Sequence, residues 1–209
     1  MRLQTLNICF SSCPSKYSLW VDEILLHPPD AICIQEACPE LDPYLDMLDD
    51  LYHISPLPDL ERPYYQLILV LKVHGTPLFK RIPIPSVQHR DFVMTTLPFA
   101  RIICVHLESL PNQNQIKYKQ MNILTHYIND DDHIIIMGDF NVYTEMDEGK
   151  LSLSGLHDAC VHLGATFGSS SRLDRVYLGS AFSIERVGFC HLGVSDHKGL
   201  EVEVSTMED

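Results

Sequence analysis

The chain has 209 residues, with 15 Lys and Arg against 28 Asp and Glu and a formal charge of −13. That length fits one globular core, and 45% hydrophobic residues are too many for a disordered chain, while no apolar run reaches the roughly 18 residues of a membrane span. The acidic balance counts against a non-specific polyanion binder, which needs Lys and Arg to displace counterions, although carboxylates that hold a cation can still draw phosphate to a site.

In chain order, residues 3–10 (LQTLNICF) read as a strand carrying Asn7, with no basic-then-apolar leader before it. Residues 16–26 read as a helix with Leu19, Ile24 and Leu25 on one side, stopped by Pro28-Pro29. Residues 31–35 are apolar on both faces and run into Glu36. Seven prolines between Pro56 and Pro98 cut the next stretch into pieces suited to edge strands and turns. Strands are expected at 66–73, 92–97 and 101–106, the last leading to His106 and Ser109. A helix over 112–128 places Ile116, Met121, Leu124 and Ile128 on one face, with Lys117, Lys119 and Asn122 in solvent. A strand at 133–137 then reaches Gly138-Asp139-Phe140-Asn141, and further strands fall at 175–178, 183–191 and 199–204. About nine strands with three or four helices exceed one open sheet. The pattern predicts an α/β fold, two packed sheets with helices on their outer faces.

The seven cysteines form no CxxC pair and no zinc-finger spacing. Cys9, Cys33, Cys104 and Cys190 fall in strand-like runs, where Cys acts as a small core hydrophobe. A reducing intracellular compartment, cytoplasmic or nuclear, fits them. Neither GxxxxGK[ST] nor GxGxxG occurs, His157 and His162 lack the HExxH spacing, and Asp130-Asp131-Asp132 is not an EF-hand loop.

Several apolar strands end in polar residues that folding does not demand: Asn7, Glu36, His106 with Ser109, Asp139 with Asn141, Asp174, and Asp196-His197. Each alone has a bland explanation. Glu36 can be a solvated strand end, Asp139 a turn residue, His106 a structural histidine. Together they describe strand ends that present side chains to one cleft. Ser195-Asp196-His197 is not a hydrolase triad, because neighbours on an extended chain point to opposite sides.

In this order, Asn7, Gln35-Glu36, His106-Leu107-Glu108-Ser109, Gly138-Asp139-Phe140-Asn141, Leu173-Asp174-Arg175 and Ser195-Asp196-His197 resemble the signature blocks of the endonuclease/exonuclease/phosphatase superfamily. The resemblance spans nearly the whole chain and implies a single catalytic domain over 1–209, folded as a four-layer α/β sandwich of the DNase I kind. His-Leu-Glu-Ser, the Ile-Pro-Ile-Pro-Ser segment at 82–86 with Arg90, and Arg172-Leu173-Asp174-Arg175 are most similar to 5′-tyrosyl-DNA phosphodiesterases. Those enzymes carry a Trp near the substrate phosphate; Phe167 is the nearest equivalent here, and the sole Trp, Trp20, sits in the first helix with core neighbours.

The chemistry follows from residue type. Oxygen ligands suit Mg²⁺, with Mn²⁺ as a substitute, and Glu36, helped by Asn7 and Asp196, is the expected metal site. Asp139 is the expected general base for an attacking water, with Asn141 holding that water or the phosphate. His197, oriented by Asp174, donates to the phosphate as charge builds, and His106 and Ser109 donate from the other side. Arg90, Phe167 and Arg172 are expected to contact substrate. The expected partner is a nucleic-acid 5′ end bearing a tyrosyl-linked peptide, met by a monomer away from any membrane. An apurinic-type endonuclease or exonuclease, a small-molecule phosphatase, or a module that has lost catalysis are the alternatives.

Overall fold

The computed structural model describes residues 1–9, 11, 14–58, 62–128, 131–143 and 153–207; Phe10 and Asp130, which fall in segments read above, and Cys13, one of the seven cysteines, lie outside them. The first half runs β1 (Arg2–Asn7), α1 (Pro14–Leu26), β2 (Ala31–Ala37), α2 (Asp42–Asp46), β3 (Tyr52–Ile54), β4 (Tyr65–Leu71), β5 (Leu78–Pro83) and β6 (Asp91–Leu97). The second half adds β7 (Ala100–His106), α3 (Asn114–Ile128), β8 (Ile134–Asp139), β9 (His157–Asp158), β10 (Asp174–Leu178), β11 (Phe182–Cys190) and β12 (Gly199–Thr206). Among these residues no helix is long and apolar enough to cross a membrane.

The strands form two six-stranded sheets, ordered β11-β12-β1-β2-β4-β3 and β5-β6-β7-β8-β10-β9. Only β1–β2 and β7–β8 pair in parallel, and both pairs sit at the middle of their sheets. Side chains alternate across a strand, so each sheet has an inner and an outer row. Leu3, Cys33, Ile102, Cys104, Ile135, Met137, Val176 and Leu178 point inward and meet in the core between the sheets. Leu6, Ile32 and Ile34 point outward and are covered by Tyr17, Trp20, Val21 and Ile24 of α1. On the other sheet Ile103, Val105, Ile134 and Ile136 are covered by Met121, Leu124 and Ile128 of α3. The result is the expected α/β sandwich, helix, sheet, sheet, helix.

Differences from the sequence pattern are local. Leu19 is 64% exposed and Leu25 is exposed too; the face of α1 that packs is Tyr17, Trp20, Val21 and Ile24, one helical step round. Lys117 is buried, not solvated. Cys9 lies beyond β1, half-buried at φ 58. β5 and β9 are edge strands, and β5 exposes most of its residues, so periodicity hid it. Gly138 is required where it stands: at φ 145, an added Cβ would lie 2.0 Å from the Val105 carbonyl oxygen of the adjacent strand.

Candidate active site

The inner rows of both sheets change character at one end. Asn7 continues the row of Leu3, His106 that of Ile102 and Cys104, Asp139 that of Ile135 and Met137, and Asp174 that of Val176 and Leu178. Register fixes their order: His106 pairs with Asp139, which pairs with Asp174. Rigid ladders thus bring into one place side chains that are up to 167 positions apart, counting from Asn7 to Asp174.

Asp139 is the centre. Its Oδ2 accepts a hydrogen bond from Asn7 Nδ2 at 3.0 Å and its Oδ1 accepts from the Asn141 N–H at 2.8 Å. Burial, and next the charge of Asp174, push its carboxyl up to about 6; His197, Asn7 and Arg90 pull the other way. Near neutral pH it is a carboxylate that accepts a proton readily. Asn141 adopts φ 51, a left-handed turn that Asn tolerates, and its Nδ2 donates to the Leu107 carbonyl at 2.9 Å.

His197 Nδ1 lies 2.8 Å from Asp174 Oδ2, and its Nε2 lies 4.0 Å from Asp139. Burial lowers its proton affinity, but Asp174, then Asp139 and Asp196, outweigh burial and carry it up to about 9. At neutral pH it is an imidazolium. Thr166 Oγ1 accepts from the Leu173 and Asp174 N–H groups, pinning the turn that starts β10. Phe167 lies against the His197 ring, centroids 4.8 Å apart, and bridges to it through the backbone. His106 is opposite in character. Burial first, then the charges of Arg90 and His197, hold it well below the usual histidine range, so it stays neutral with one N–H to give. Its Nε2 is 3.5 Å from Asp139 and 3.8 Å from Glu36.

Glu36 stands where β2 bulges, at φ 57, and its carboxylate accepts from Asn7 Nδ2 at 3.3 Å. One amide therefore holds Glu36 and Asp139 together. Arg90, 4% exposed, donates through Nη1 to the Leu107 carbonyl and through Nη2 to Ser109 Oγ at 3.1 Å. Ser109 donates from both N–H and Oγ to Gln88 Oε1. Asp196 is exposed and accepts from Ser195 Oγ. Arg172 is committed elsewhere: its guanidinium donates to Asp158 at 2.6 Å, across from β10.

Three contributors were not read from the sequence. Lys117 Nζ donates to the Asn141 carbonyl at 2.5 Å. Gln120 Oε1 accepts from the Glu108 N–H while its Nε2 donates to the Pro85 carbonyl. Tyr143 donates to Asn141 Oδ1. The signal was available for the first two, since 117, 120, 121, 124 and 128 share one helical face.

The sequence matches the model of the Endonuclease/Exonuclease/phosphatase family over residues 5–197. The chain belongs to that family. It therefore carries a hydrolase fold whose strand ends bring the site together. Among solved structures it is similar to humanized TDP2 of D. rerio, with a TM-score of 0.85 and 20% identity over 99% of each chain. D. rerio TDP2 complexed with single strand DNA product gives the same values. The human Nocturnin catalytic domain is similar at a TM-score of 0.79 and 18% identity, over 99% of this chain and 93% of that one. At such identities the likeness is one of fold. No curated protein matches the sequence.

Proposed function

We propose that the protein is a metal-dependent phosphodiesterase that hydrolyses a phosphodiester by an activated water, and that its substrate is a tyrosyl adduct on a nucleic-acid 5′ end. The observation that carries this is the pairing of Asp139, a carboxylate near 6, with a His197 near 9 some 4.0 Å away. One accepts a proton and the other supplies positive charge across the same pH range.

The donor set fits a hard divalent cation. Glu36 offers carboxylate oxygens beside Asp139, and Asn7, whose Nδ2 donates to both carboxylates while its Oδ1 accepts from the Cys9 N–H, positions them. Asp139, Asp174 and His197 also have ligand atoms within 4.8 Å of one another, but His197 and Asp174 hold each other at 2.8 Å. Glu36 with Asn7 is therefore the assignment, and Asp196 joins from the exposed side. Bound there, Mg²⁺ supplies polarisation of the phosphoryl oxygen and offsets developing charge.

The chain's own residues account for the rest. Asp139, aimed by Asn7 and the Asn141 N–H, takes the proton of the attacking water. His197 donates to a phosphoryl oxygen as charge builds, oriented and kept protonated by Asp174. Neutral His106 donates from the opposite side, where Ser109, its own donors held by Gln88, accepts from Arg90 and keeps that guanidinium in place. A phenolate of pKa about 10 leaves with little acid assistance, which suits a tyrosyl ester.

The test is Mg²⁺-dependent release of tyrosine from a 5′-phosphotyrosyl oligonucleotide, with Asp139→Asn as control and an abasic duplex and a plain 5′-labelled strand alongside. Release that the variant abolishes is the expected result. Cleavage of only the abasic duplex or the plain strand overturns the tyrosyl assignment, and inactivity on all three overturns the nucleic-acid substrate.

A further inference from the structure

Beside Arg90, the segment before β4 and the β5–β6 hairpin enclose a pocket of about 340 Å³ whose lining includes Arg62, Arg81, His89, Arg90 and Asp91. Three of the chain's eight arginines meet there in a protein of charge −13. Asp91 is the single carboxylate among the described lining residues. Glu108 lies behind Ser86, accepting from its Oγ and from the Val87 N–H.

The arginines are not equally engaged. Arg81 donates to Asp91 Oδ1, to the Pro56 carbonyl and to the Gln66 carbonyl, so it is a structural pin. Arg62 gives only Nη1 to Asp91, at 2.9 Å, and its buried Nε has no partner among the described residues. The Nε of Arg90, on a side chain more than nine-tenths buried, likewise has none. A buried donor left unpaired costs about 1–3 kcal/mol, and both of these belong to side chains that line the pocket. His89, exposed and held at φ 57, adds its ring at the rim. A left-handed histidine is strained, and such strain collects at binding sites.

We propose that this pocket takes a second phosphate of the substrate, on the same strand as the phosphodiester that is cut. This rests on the phosphodiesterase reading above. Guanidinium groups match phosphate oxygens in a fork. Arg90 borders both places, since it lines the pocket and donates to Ser109 in the catalytic cluster. A strand carries a phosphate at every nucleotide, so a substrate seated in the cleft brings the second anion with it. The pocket then discriminates a strand from a lone nucleotide by KM.

The test compares two p-nitrophenyl esters, one on thymidine 5′-monophosphate with a single phosphate, the other on the 5′-phosphate of a tetranucleotide. For Arg62→Ala the expected result is a KM about tenfold higher on the tetranucleotide ester, with kcat within about twofold. Both constants for the single-phosphate ester stay within about twofold. His89→Ala, a change at an exposed residue that folding tolerates, shows the same pattern at about threefold. An equal effect on both esters, or none on either, overturns the proposal. A third ester joins thymidine 5′-monophosphate to an acidic tyrosyl peptide; a KM effect there and not on the tetranucleotide assigns the pocket to a peptide and overturns it too. Should the wild-type protein cleave none of the esters, the phosphodiesterase reading fails separately. Fluorescence anisotropy of a labelled 5′-phosphorylated tetranucleotide then decides the pocket. Binding about tenfold weaker in Arg62→Ala supports it, and equal binding overturns it.

Discussion

Asp139 keeps a charge in a place that opposes it. Burial and Asp174 push its proton affinity up, and the charge of His197 and the hydrogen bond from Asn7 restrain it. A residue kept at that cost serves chemistry more than stability. Asp139→Asn is therefore expected to lower kcat by about 10²–10⁴-fold, the contribution of a general base, while leaving the melting temperature level or higher. A fall of several degrees would instead make Asp139 a structural residue. Lys117 is the converse. Its ammonium meets the Asn141 carbonyl beneath the turn that bears Asp139, so Lys117→Met strands that carbonyl at a cost of about 1–3 kcal/mol. Urea unfolding should show that loss, and kcat should fall more than KM changes because the turn bearing Asp139 loses its support.

At the level of elements, what the sequence could show depended on how each one is buried. Central strands such as β2 and β8 are apolar on both faces and carry Glu36 and Asp139 at their ends, so both the strand and its polar end were visible. The face of α3 was misjudged at Lys117, and Gln120 went unread, because a helix stripe was expected to be apolar throughout. Near the cleft that stripe instead meets the carbonyls of Pro85 and Asn141 and the Glu108 N–H, which need polar partners. The left-handed turn at Glu36 and the commitment of Arg172 to Asp158 depend on neighbours distant in sequence, and no local pattern carries them.

The join of α1 to the first sheet makes its own prediction. His191 is buried with Nδ1 2.9 Å from Glu23 of α1 and Nε2 2.7 Å from Gln4 of β1. Glu201 of β12 and Arg2 of β1 also face it. Burial holds it below the ordinary histidine value against the pull of Glu23. The unfolded chain, titrating near 6.5, then binds a proton that the folded chain resists. Stability contributed here is present above about pH 6.5 and is lost as pH falls. His106, lowered for the same reason, acts in the same direction. Over the same range His197, carried up to about 9, and Asp139, pushed up to about 6, act in the opposite direction, so the check is a difference: between pH 7.5 and 5.5 the urea midpoint of His191→Gln should fall less, or rise more, than that of the wild type. A variant that keeps the full wild-type slope would show that His191 is not the group responsible.

For the whole molecule, charge limits how a nucleic acid is held. A protein of −13 repels a polyanion everywhere except where cations gather. The described cluster is local: Arg90 at the cleft with Arg62 and His89 beside it. Under the proposed function, such a chain would grip one end of a strand and would not wrap it. Affinity for a single strand falls with salt at a slope of about −0.7 per neutralised phosphate. Two phosphates, one at each place, give a slope of about −1.4 and a KM about sevenfold higher at 200 mM than at 50 mM salt. Steady-state kinetics on a tetranucleotide and on a twenty-nucleotide ester should give the same slope, because the proposed grip ends at the pocket. A slope steeper than about −4 on the longer strand, six or so phosphates, would mean that it follows a path outside these residues. The acidic surface would then have to be interrupted by a basic track, and the second-phosphate pocket would be only its first station.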